Sequence, residues 1–163
     1  EFEPVLAEKE LTWDVDIEPD VEILCDPDKL ERVIDNLVRN ALGYSYPGTA
    51  IHLSLHRTPP ESASGAESDG SPSDIPAAGA PSSPDTVCLQ VKNHGRTISP
   101  EKLTRIFDQF FRLDTSRASS TGGAGLGLAI AKEIVTLHGG TIQAESESES
   151  ILFTVTLPTE GRT

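Results

Sequence analysis

The sequence predicts an α/β fold, a two-layer sandwich in which three helices lie on one face of a mixed sheet of about five strands. Two patterns predict it. Three segments carry apolar residues at three- and four-residue spacing, the stripe that a helix buries along one side. The segments between them alternate apolar and polar residues, as strands do when one sheet face is covered and the other meets water.

Taken in chain order, residues 12–17 (TWDVDI) alternate and read as the first strand, followed by a short extended piece at 23–25. The first helix starts at Asp26, an N-cap residue, with Pro27 in its first turn, and carries Leu30, Val33, Ile34, Leu37, Val38 and Ala41 at helical spacing. Residues 51–55 (IHLSL) and 87–91 (VCLQV) are strands of one sheet. A second helix begins at Ser99-Pro100, with Leu103, Ile106, Phe107 and Phe110 on one side. The third runs from about Leu126 to Leu137 and stops at Gly139-Gly140. Strands at 141–145 and 151–157 close the chain, the last alternating Ile151, Phe153, Val155 and Leu157.

The segment 58–86 is Pro, Ser, Gly, Ala and acid, with no Lys or Arg and Ile75 as its one large apolar residue. Such a composition cannot bury enough surface to order itself. It reads as a flexible insertion inside a hairpin, so that residues 1–163 make a single domain. A docking or modification segment is the alternative use of it. The formal net charge of −13 excludes a nucleic-acid or anionic-membrane surface, so any phosphate binding must be local. Cys25 and Cys88 lie among apolar residues in expected strands and read as buried free thiols, consistent with a reducing, cytosolic setting. No apolar run is long enough to cross a membrane, and no direct membrane contact is expected.

The chemistry is concentrated at Thr-Gly-Gly-Ala-Gly-Leu-Gly-Leu (121–128), which runs into AIAKEIVTLHGG. Glycines there let backbone N–H groups approach an anion, and a helix N-terminus adds free donors and a favourable dipole. Upstream, Asn36, Asn40 and Tyr44 stand four residues apart and share one helix stripe. Between the two lie VKNHG (91–95) and IFDQFFRLD (106–114). This order of N, G1, F and G2 boxes resembles the ATP-binding catalytic domain of sensor histidine kinases over nearly the whole chain. Within that family, FFRLDTSRASSTGGAGLGLAIAKEIV with the following HGG and AES is similar to sensor kinases of vancomycin resistance.

The resemblance implies a Bergerat-type fold and an ATP site with Mg²⁺. Asn40 is the metal ligand it implies, a hard carboxamide oxygen suited to Mg²⁺, with Asn36 one turn earlier on the same flank. Tyr44 packs on the adenine or serves as an ordinary rim aromatic. Asn93 and Gly95 read the base, with Thr97 beside them. Gly123, Gly125, Leu126, Gly127 and Leu128 form the phosphate cradle and its anchor. The loop 112–122, hinged on Phe107, Phe110 and Phe111, is the expected lid. Arg112 and Arg117 either meet phosphate charge or are exposed loop residues.

This chain departs from the family pattern at four places. Gly43 replaces a Lys that often touches phosphate, Asn93 an Asp that accepts from the adenine amino group, and Thr97 a second glycine. A Gly-Thr-like step before the last strand is replaced by Ser150-Ile151-Leu152. In related gyrase-like, chaperone and mismatch-repair ATPases a Glu stands four residues before the metal-binding Asn as general base; here that residue is Asn36, which shifts the reading from hydrolase to kinase. None of His52, His56, His94 and His138 lies in a phosphoacceptor context. No catalytic residue is therefore assigned, and the expectation is a domain that binds Mg-ATP and donates the γ-phosphoryl to a His on an absent dimerisation and phosphoacceptor domain. It would work with a response regulator, on the cytoplasmic side of a membrane-anchored kinase, as a monomer when isolated and without autophosphorylation. The rivals are an anti-sigma-factor-like serine kinase, a hydrolytic ATPase of the same fold and a degenerate docking domain.

Overall fold

In a computed structural model of the protein, residues 2–58, 85–113 and 126–160 are described. They form strands β1 (Thr12–Ile17), β2 (Ala50–Thr58), β3 (Thr86–His94), β4 (Thr141–Glu147) and β5 (Ser150–Pro158), and helices α1 (Glu3–Glu8), α2 (Pro27–Tyr44), α3 (Pro100–Leu103) and α4 (Gly127–Leu137). The five strands make one sheet in the order β1-β2-β3-β5-β4. β1 runs parallel to β2, and the other neighbours are antiparallel.

Register puts every alternate residue of the sheet on one inner face. Leu53 pairs with Val91 and Leu55 with Leu89; Val91 pairs with Phe153 and Asn93 with Ile151; Ile142 pairs with Val155. Ile51, Val91, Ile151, Phe153 and Val155 on this face are at most 1% exposed. The opposite face is polar and carries the cross-strand pairs Asp14–His52 (2.7 Å) and Asp16–His56 (3.0 Å). These pairs stand in water, where such contacts add little stability.

Helix α2 covers the inner face because its apolar positions recur at helical spacing. Asp26 caps it, its side chain accepting from the Lys29 N–H. Val33, Leu37, Val38, Ala41 and Leu42 are its buried residues. Beside it packs α4, which buries Ala131, Ile134 and Val135. The end of α4 is a Schellman turn: the Gly139 N–H donates to the Thr136 carbonyl and the Gly140 N–H to the Val135 carbonyl. Gly139 has φ +77°, which glycine adopts without strain. His138 joins the two helices, its Nδ1 donating to Ile134 O (2.8 Å) while Nε2 accepts from the Asp26 N–H (3.1 Å). That pairing requires the neutral ring.

Four expectations are corrected. The second helix ends at Leu103, not beyond Phe110. From Arg105 onward the backbone bonds reach three residues back rather than four, as in Arg105 to Lys102 and Ile106 to Leu103, and the tighter winding breaks the stripe. Ile106 is still buried and Phe107 meets the Phe153 ring edge-on, but Phe110 has φ +64° and is 69% exposed. Residues 23–25 form no strand; Leu24 makes a single backbone bond, to Thr159. Both cysteines are free but half-buried, Cys25 in a loop and Cys88 on the polar sheet face, where partial burial raises the thiol pKa. Finally, α1 is a helix that the pattern does not announce, packing Val5 and Leu6 on the core.

The expected insertion at 58–86 lies outside the described residues except at its ends. Thr58 and Thr86 are register partners, so the chain leaves and re-enters the sheet at one rung of the β2–β3 hairpin. Edge strand β1 places Trp13, Val15 and Ile17 in register with Ile51, Leu53 and Leu55, yet leaves them 38–53% exposed. The core therefore sits over β2, β3 and β5. Leu37→Ala is expected to destabilise the fold by about 2–5 kcal/mol, whereas Val15→Ala changes it by roughly 0.5 kcal/mol or less. Urea unfolding of both variants checks this contrast.

Candidate functional site

The site is built along one flank of α2. Its buried face holds the helix to the sheet, and Asn36, Asn40 and Tyr44 fall on the border of that face, all half-buried. Eight residues separate the first from the last, about 12 Å along a helix. A nucleotide with its phosphates is of that order of length.

At one end lie Tyr44, Asn93 and Gly95. Asn93 occupies the inner face of β3 one residue before its end and has no exposed surface. Both its amide nitrogen and its amide oxygen lack a hydrogen-bond partner among the described residues. Buried groups of this kind cost about 1–3 kcal/mol each, and nearly all in native proteins are satisfied. Gly95 follows at close quarters: a Cβ there would stand 2.2 Å from the Tyr44 carbonyl oxygen and 3.3 Å from Asn93 Nδ2. Only glycine lets the chain pass between them.

Neighbouring turns hold this end in place. The Tyr46 N–H donates to His94 O (2.8 Å), and the Gly95 N–H donates to Glu149 O (3.0 Å). Thr97, expected beside the base, uses its hydroxyl to accept from the Glu149 N–H (2.8 Å), so it braces the β4–β5 turn. Tyr46 donates to Glu149 Oε1 (3.3 Å). Desolvation raises the Tyr46 pKa above its ordinary value of 10.0, helped by the Glu149 charge and hydrogen bond and opposed by Arg96.

At the other end Asn36 meets the start of α4. A Cβ on Gly127 would lie 3.1 Å from Asn36 Oδ1, and Asn36 Nδ2 is buried without a partner among the described residues. Leu126 is the N-cap of α4 and contributes no side-chain bond to the cap, while Leu128 packs on the core. The first backbone N–H groups of α4 have no intrahelical partner, and Gly127 at their start lies beside Asn36. Arg112 is half-buried. Arg117, Gly123, Gly125 and most of the expected lid lie outside the described residues.

Sequence reasoning missed Lys9. Its ammonium donates to the carbonyls of Leu42 (2.7 Å) and Gly43 (3.2 Å), placing a positive charge at the C-terminal end of α2. No spacing rule connects residues 33 positions apart. Gly43, where the family often carries a Lys, thus has a lysine at its carbonyl from another segment. Among the described residues no group of three or more His, Cys, Asp or Glu could hold a metal ion.

Comparison with known proteins accords with this geometry. The family described as histidine kinase-, DNA gyrase B- and HSP90-like ATPase matches residues 25–161. The chain is 40% identical over 158 residues to the sensor protein VanSC of Enterococcus gallinarum, covering 97% of this chain and 37% of that protein. It is equally 40% identical to the sensor protein VanS of Enterococcus faecium, covering 97% of this chain and 34% of that one. The chain thus spans little more than a third of these relatives. The catalytic domain of the histidine kinase ThkA superposes with TM-score 0.70 at 23% identity, covering 98% of this chain and 86% of that one. The mycobacterial sensor histidine kinase MprB superposes with TM-score 0.68, also at 23% identity, covering 99% and 91%.

Glu149→Gln removes the charge that helps raise Tyr46, so the phenol is expected to titrate closer to 10.0 in an ultraviolet absorbance titration. Because the folded state favours the neutral phenol, the stability this group contributes is present below its ordinary pKa and lost as pH rises through the raised value. Gly95→Ala is expected to destabilise the domain by about 1–3 kcal/mol in urea unfolding, since backbone must move to admit the Cβ.

Proposed function

The chain belongs to the histidine kinase-, DNA gyrase B- and HSP90-like ATPase family, and from that premise we propose that it is the ATP-binding catalytic domain of a sensor histidine kinase. One observation carries the reading. Among the described residues Asn93 of β3 is buried with neither amide atom paired, and half-buried Asn36 of α2 has a buried, unpaired Nδ2; the first lies beside Gly95 and the second beside the start of α4. Orphaned polar groups in a core are retained where a ligand satisfies them.

In this reading Asn93, next to Gly95 and the Tyr44 carbonyl, pairs with the base, and Asn40 in the middle of the stripe holds Mg²⁺ through its carboxamide oxygen. Asn36 and the first N–H groups of α4 face the phosphates, with Gly123, Gly125 and Gly127 as the cradle and Arg112 and Arg117 as the available cations. The donor set suits Mg²⁺, which accepts one protein oxygen and keeps waters and phosphate oxygens in its other positions. When bound, the ion neutralises charge on the phosphates during transfer.

Asn36 supports a kinase over a hydrolase. A carboxamide cannot take a proton from water, so the position where a general base would stand holds a group that only binds. ATP would then be kept for a protein acceptor: a His on the dimerisation and phosphoacceptor helices of the complete kinase, which passes the phosphoryl to a response regulator. The relatives VanSC and VanS support assignment to a glycopeptide-responsive system and to the cytoplasmic portion of a membrane-anchored sensor. Among the described residues no helix is long and apolar enough to cross a membrane. Residues 58–86 read as an insertion within this one domain.

Calorimetric titration with ADP and a non-hydrolysable ATP analogue, with and without Mg²⁺, tests the assignment. Micromolar binding is expected, and Asn40→Ala should cost tenfold or more of the affinity measured with Mg²⁺, about 1.4 kcal/mol per decade, while leaving Mg²⁺-free binding in place. Absence of binding in every condition would overturn the reading. Steady phosphate release abolished by Asn36→Ala would turn it into a hydrolase.

A further inference from the structure

Asn93 holds the chemical key to which purines this site admits, an inference that rests on the nucleotide-binding reading above. The side chain is wholly enclosed, and neither of its amide atoms is held by another group among the described residues. No hydrogen bond among the described residues fixes its orientation. The terminal torsion of an Asn side chain is broad and roughly two-fold, so the donor and the acceptor exchange places by a half-turn.

A purine presents two adjacent groups at positions 1 and 6. In adenine these are an acceptor, N1, and a donor, the 6-amino group. In a 6-oxopurine the polarity is reversed, with a donor at N1–H and an acceptor at O6. A carboxamide carries one donor and one acceptor side by side and can meet either edge, Nδ2 to N1 with Oδ1 from the amino group, or Nδ2 to O6 with Oδ1 from N1–H. A carboxylate accepts only, and would face the lone pairs of O6 with its own charge. Gly95 sets no side chain beside this edge; a Cβ there would stand 3.3 Å from Asn93 Nδ2.

We propose that Asn93 makes this a base-tolerant purine site, which binds 6-oxopurine nucleotides of the inosine type alongside adenine nucleotides. The amide turns to match the base, and the ribose and phosphates are held as before. Inosine diphosphate is the defining ligand because it differs from ADP only in the group at position 6 and the proton on N1.

Calorimetric titration of the 163-residue chain with ADP and with IDP, in the presence of Mg²⁺, tests this. The expected result is an IDP affinity within about tenfold of that for ADP, and a preference for ADP at least tenfold larger in Asn93→Asp. IDP methylated at N1, which has lost its donor, should bind the unaltered chain at least tenfold more weakly than IDP; this measurement stands even if the Asp variant does not fold. Binding of ADP with hundredfold exclusion of IDP would overturn the base-tolerance inference alone. So would N1-methylated IDP binding as well as IDP. Failure of both ADP and IDP to bind would overturn the nucleotide reading and this inference together.

Discussion

The rest of the structure depends on the seating of α2 against the inner sheet face. Val33, Leu37 and Ala41 have no exposed surface, and the valine and leucine side chains each contribute about 1.5–3 kcal/mol when buried. Because a helix has only one buried face, fixing that face fixes the azimuth of every other residue on it. Asn36, Asn40 and Tyr44 are carried to the border of the core as a group. Packing of α4 against the same helix then brings Gly127 to Asn36, and the β3 register brings Asn93 and Gly95 to Tyr44.

The protein retains polar groups where its core would be more stable without them. Asn93 sits among Val91, Ile151 and the β5 residues, positions at which a valine would bury more surface and leave nothing unpaired. A neutral amide is the polar group such a position tolerates best, since an unpaired carboxylate would bear a far larger desolvation cost. The same enclosure that destabilises an unpaired amide strengthens any hydrogen bond it makes to a ligand.

Charge is managed locally. The chain carries a formal net charge of −13, and yet the anion site proposed for it would draw on neutral amides, backbone N–H groups and a few cations. Asp14 and Asp16 stand away from it, on the outer sheet face opposite His52 and His56. Lys9 enters from a distant segment to meet the carbonyl end of α2. A strongly acidic surface is thus compatible with a phosphate site, because dipoles and hydrogen bonds act over a few ångströms while surface charge is screened by salt.

The sequence by itself determined the two-layer class, the five strands, the start of α2 at Asp26 and the end of α4 at Gly139, because each rests on a local period or cap. It also singled out the stripe of Asn36, Asn40 and Tyr44, for the spacing of a helix is a local fact, while Asn93 was singled out by a motif that resembles the family's. Only the tertiary structure decided that Asn93 has no partner among the described residues, that Gly95 must pass beneath the Tyr44 carbonyl, that Thr97 braces a turn and that Lys9 reaches Gly43. It likewise decided that α3 stops after Leu103 and turns Phe110 outward, and that β1 keeps its apolar residues half in water. Each of these depends on what a residue meets across a long stretch of chain, and periodicity reports the face that a residue takes without saying whether anything covers it.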